Sequence, residues 1–76
     1  MAERPPASVR QARASLAKRL QREEGYVGAG LSAGDDGGYE ILILVERADC
    51  AASRGAPSEW QGVRVRVEVS GVPRRL

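Results

Sequence analysis

"GYVGAGLSAGDDGGYEILILVER" (residues 25–47) decides the fold of this chain. It reads as two strands joined by a tight turn, because the Asp and Gly residues of "GDDGG" (residues 34–38) tolerate the positive φ that hairpin turns require. Side chains alternate along a strand, so residues 26–33 set Val27, Ala29 and Leu31 on one face and Tyr26, Gly28, Gly30 and Ser32 on the other. Residues 39–46 set Tyr39, Ile41, Ile43 and Val45 against Glu40, Leu42, Leu44 and Glu46. The second strand is apolar at its centre on both faces, and each face calls for a cover.

The flanking sequence supplies one cover. Ser8 reads as an N-cap with Gln11 three residues on, a capping-box spacing that opens a helix over residues 8–24. Val9, Ala12, Leu16 and Leu20 recur at helical spacing and form an apolar stripe suited to a sheet. Gly25 stands where a left-handed residue would end the helix. Residues 1–7, with Pro5-Pro6, read as an extended arm. Beyond the hairpin, residues 48–62 form a long connection with a short helical turn near 51–53. "VRVRVEV" (residues 63–69) then alternates valine with charge, as in a sheet dry on one side. Residues 70–76 read as a tail, with Pro73 opposing further pairing.

The pieces predict a single α+β domain, an N-terminal helix packed on a three-stranded, mainly antiparallel sheet in the order α-β-β-β. A chain of 76 residues is one domain that buries about 60% of its unfolded surface. The expected core is Val9, Leu16, Leu20, Val27, Leu31, Ile41, Ile43, Val45, Val63, Val65 and Val67. The helix, then "VGAGLSAGDDGGYEILILVE", then a proline-containing connection and "GVRVRVEVSG" resemble a small bacterial domain found alone or ahead of a trypsin-like peptidase domain. The resemblance spans residues 9–71 and implies a fold rather than an activity.

The residue inventory argues against catalysis. The chain has no histidine, which removes the usual general base, the Ser-His and Cys-His nucleophile pairs and the common zinc sites. Cys50, the only cysteine, has Ala48, Asp49, Ala51 and Ala52 beside it, nothing that lowers a thiol pKa. Gly28-x-Gly30 falls short of a dinucleotide fingerprint, since Ala33 stands at the third glycine position and a hairpin follows where a helix is needed. Asp35-Asp36 suggests a calcium loop, but Glu40 occupies the place of its turn glycine. We expect no enzyme activity, no catalytic residue, no metal and no cofactor. A lone thiol fits a reducing compartment, and the longest aliphatic run, residues 41–45, is far short of the ~20 residues that cross a bilayer. The expected compartment is the cytoplasm, with no membrane association.

Charge divides the chain. Residues 1–22 carry Arg4, Arg10, Arg13, Lys18, Arg19 and Arg22 against Glu3, whereas residues 23–76 are net acidic. Two functional expectations follow. The first is a protein-interaction or accessory module whose partner is another protein or a second copy of itself, engaged through Leu42, Leu44, Gly28 and Gly30 with Arg64 and Arg66 on the rim. The alternative cover for the two leucines is internal, with Trp60 folded back over them. The second expectation is a nucleic-acid-associated protein using Arg10, Lys18 and Arg22 of the basic helix. The missing aromatic platform on the sheet weighs against it: phenylalanine is absent and only Tyr26, Tyr39 and Trp60 are aromatic.

Overall fold

The structure, a computed structural model that describes residues 6–34 and 37–70, has the element order α1 (Ala7–Leu20), β1 (Tyr26–Ala33), β2 (Tyr39–Val45), α2 (Ala51–Gly55), β3 (Glu59–Trp60) and β4 (Val63–Val69). It is an α+β fold with the N-terminal helix on one sheet. The sheet has four strands rather than three, in the order β1-β2-β4-β3. β1 and β2 form the antiparallel hairpin, but β4 lies parallel to β2, with Ile41 beside Val65 and Ile43 beside Val67. Parallel neighbours need a connection of a dozen or more residues. The segment between β2 and β4 meets that need and holds both α2 and β3.

β3 was not anticipated. It pairs antiparallel with β4 through the two-residue turn Gln61-Gly62, whose φ values of 51° and 80° are those of the hairpin turn that matches strand twist. Gln61 Nε2 donates to Ser15 Oγ at 3.3 Å, which ties this small hairpin to α1.

Both helix ends differ from expectation. α1 starts at Ala7, and the N-cap is Pro6 rather than Ser8, with no side-chain capping bond. The Pro6 carbonyl instead accepts from the N–H groups of Val9 and Arg10 at 3.0 and 3.1 Å. α1 stops at Leu20, four residues early, because Glu24 is drawn to the start of α2. Its carbonyl accepts from Ala52 N–H at 2.9 Å and its carboxylate from Ala51 N–H at 3.3 Å. Gly25 follows at φ 91°, so the left-handed residue closes this turn rather than the helix itself. Ser70 N–H donates to Val45 at 2.8 Å, which carries the β2–β4 ladder one step into the expected tail. Asp35, Asp36, Pro73, Arg74, Arg75 and residues 1–5 of the expected arm lie outside the described residues.

The core lies between the helices and one sheet face. Ala12, Leu16 and Leu20 of α1 meet Ile41, Ile43 and Val45 of β2, Val65 of β4, and Cys50 and Ala52 at the start of α2. Leu31, Val63 and Val67 are partly buried against this cluster, and Val9 is half-buried. Val27 is not in the core. Tyr26 pairs with Val45 while Gly28 pairs with Leu44, so Val27 is the extra residue of a bulge and is 43% exposed. The bulge turns Tyr26 inward, against the core.

Candidate interaction surface

The sheet face away from the helices is built in rows. The registers set Gly30, Leu42 and Arg66 side by side, then Gly28, Leu44 and Glu68, then Ser32, Glu40 and Arg64. All the residues expected on an interaction face, Leu42, Leu44, Gly28, Gly30, Arg64 and Arg66, are therefore brought together. Nothing stands within 4 Å of where a Cβ would project from Gly28 or Gly30, so the β1 side of the face is a shallow trough. The β4 side is a ridge of long side chains. Arg64 and Arg66 close on Glu40 at 3.7 and 3.8 Å, and the Glu40 side chain is only 13% exposed beneath them. Such ion pairs contribute about 0–1 kcal/mol each, so they order the ridge more than they stabilise the fold.

The internal cover is corrected by the position of Trp60. It pairs with Val63 and packs against the core, on the side of the sheet that carries the helices. The Arg19 guanidinium of α1 lies 5.5 Å from its ring centroid, a cation–π contact. Trp60 Nε1 has no hydrogen-bond partner among the described residues. Both helices pack on the Ile41/Ile43/Val45 side, so among the described residues no element lies over Leu42 and Leu44, which are half-buried between their strand neighbours.

Arg10, Lys18 and Arg22 are exposed but not gathered. At about 100° per residue, Arg10 and Lys18 are turned roughly 80° apart around α1, and Arg22 lies beyond its end.

Cys50 is buried in the core. A groove of about 340 Å³ is lined by Val9, Tyr39, Glu40, Glu59, Val63 and Arg64 among others, and Glu40 is engaged there by arginine. Among the described residues no set of three His, Cys, Asp or Glu comes together as metal ligands. No helix among the described residues is long and apolar enough to cross a membrane.

Glu24, Arg47 and the first turn of α2 form a small network. The Arg47 guanidinium donates to the Glu24 carboxylate, and this bond, followed by that from Ala51 N–H, holds the Glu24 carboxyl below its ordinary value. A depressed value in the folded state means a contribution present at neutral pH and lost as pH falls through the folded value. Glu24→Gln should therefore lower the urea midpoint near neutral pH, with the gap to the parent chain closing as the solution is taken below the carboxylate range. A gap that stays constant with pH would assign the effect to packing rather than charge.

The bulge at Val27 and the Glu59–Trp60 strand were missed by sequence reading. The first has no residue signature here. The second had one in Gln61-Gly62, a polar residue and glycine between two hydrophobic positions. Comparison of the chain with protein-family models, curated proteins and solved structures finds no match.

Proposed function

We propose that this chain is a non-enzymatic interaction or accessory module that acts through its open sheet face or by self-association, in the cytoplasm. One observation supports it above the others: Leu42 and Leu44 occupy the central strand of a face that no described element covers, between a glycine trough and an arginine ridge. Two leucines framed by polar groups are the arrangement of an apolar centre with a charged rim. Arg64, Arg66 and Glu68 would then set register with the partner.

The test separates the two faces of β2. Leu42→Asp should leave the circular dichroism spectrum in place, because the side chain is outside the core, and should weaken association by at least about tenfold in light scattering or partner capture. Unchanged association in a folded Leu42→Asp chain would end the face reading. A second reading, nucleic-acid binding, rests on the exposure of Arg10, Lys18 and Arg22. It requires affinity that falls steeply with salt and is lost on reversing those charges, whereas association through the leucines persists at high salt.

A further inference from the structure

The two edges of the sheet differ. β3, two residues long, covers the start of β4, and Val65 N–H is taken by the Ser58 carbonyl at 2.9 Å. The other edge is β1, eight residues with no charge and no proline. Charges, prolines and very short strands are what keep an edge from pairing with another chain, and over most of its length β1 has none of these. Its one irregularity, the bulge at Val27, leaves residues 28–33 as a regular strand.

The hydrogen-bond alternation fixes which groups of β1 face outward. Gly34 N–H donates to the Gly38 carbonyl at 2.7 Å, and at the far end Glu46 N–H donates to Gly25 at 2.8 Å. Counting back in steps of two from Gly34, the residues bonded to β2 are Ser32, Gly30 and Gly28. Ala29, Leu31 and Ala33 consequently turn both N–H and C=O away from β2. Among the described residues, no backbone hydrogen bond outside the strand ladders reaches residues 27–33. The Ala33 carbonyl has only a 3.4 Å contact from the Ser32 hydroxyl of the same strand.

We propose that this edge is a self-association site at which β1 of a second copy of the chain pairs antiparallel, about a twofold axis through Leu31. That register is the one that uses every outward group. Leu31 meets Leu31 of the copy, and Ala29 meets Ala33, each pair exchanging two hydrogen bonds. Pairing a strand with itself normally sets like charges opposite one another; here the facing residues are Ala, Leu, Gly and Ser. Glycines at 28 and 30 meet Gly34 and Ser32 of the copy with no bulk between them. The axis is perpendicular to the sheet, so the two leucine faces merge into one surface on one side and both α1 helices lie on the other. The inference rests on the reading that the domain acts by association, and not on which side of its sheet does so.

Amide hydrogen exchange followed residue by residue tests it on the intact chain. In a single copy Gly30 and Ser32 are protected by β2, whereas Ala29, Leu31 and Ala33 exchange freely. Raising the concentration from low micromolar to near millimolar should slow exchange at Ala29, Leu31 and Ala33 by at least about tenfold and leave Gly30 and Ser32 unchanged. The same slowing in Leu42→Asp would support the edge even where the face reading has failed. Fast exchange at Ala29, Leu31 and Ala33 at every concentration would overturn the proposal, including where light scattering shows a dimer held by the leucines. Protection independent of concentration would assign the edge to a segment of the same chain and overturn it as well.

Discussion

Gly25→Ala is expected to cost the fold about 2–6 kcal/mol, a large share of its stability. The position is constrained twice. Its φ of 91° lies in the left-handed region, where a side chain costs about 1–3 kcal/mol. A Cβ there would stand 2.4 Å from Cys50 Sγ and 2.5 Å from Cys50 Cβ, inside any tolerable contact. Relieving that overlap means displacing a buried residue, at a further cost of about 1–3 kcal/mol. At ~0.05–0.15 kcal/mol per residue, a domain of this length has roughly 4–11 kcal/mol in all. Cys50→Gly in the same chain removes the opposing side chain but not the backbone strain, so the double variant should recover part of the loss. Urea unfolding of the single and double variants reads both quantities. A Gly25→Ala chain that melts like the parent would show that Cys50 does not sit over Gly25.

The second large effect is expected at Ile43. It is wholly buried at the centre of β2, flanked by Ala29 and Val67, with α1 on the same side of the sheet. Ile43→Ala removes buried methyl and methylene groups that this small core cannot close over, at about 2–5 kcal/mol. Leu42→Ala, one residue away and on the open face, should cost well under that. The ratio between the two measures the inequality of the faces directly. Equal losses at 42 and 43 would mean that both faces are covered within one chain.

These contrasts were readable in the sequence because period-two alternation assigns Ile41, Ile43 and Val45 to one side and Leu42 and Leu44 to the other, and nothing in the structure reverses it. The bounds of β1 and β4 were readable for the same reason. The direction of β4 was not inferred, although the length of the connection before it pointed to a crossover; valine alternation is the same whichever way a strand runs. Val27 was assigned to the core because a bulge leaves the pattern intact and changes only the phase. The early end of α1 depends on Glu24 being engaged by Ala51 and Ala52, a contact across more than twenty residues that no local signal carries. The face residues could be grouped from sequence once the hairpin was recognised. Whether Trp60 lies over them could not, because the side of the sheet it takes depends on the turn at Gln61-Gly62.

That turn bears on the size an assembly can reach. A sheet with two extendable edges grows without limit, and the product is a filament. Here the far edge is stopped by a hairpin arm only two residues long, bonded to α1 through Gln61 and Ser15, and the stretch of β4 past it carries Arg66 and Glu68. Growth is left with the β1 side, where the first partner consumes the available row. An assembly made through that edge would close at two copies, because β3 occupies the start of β4 and charged side chains guard the rest of that edge.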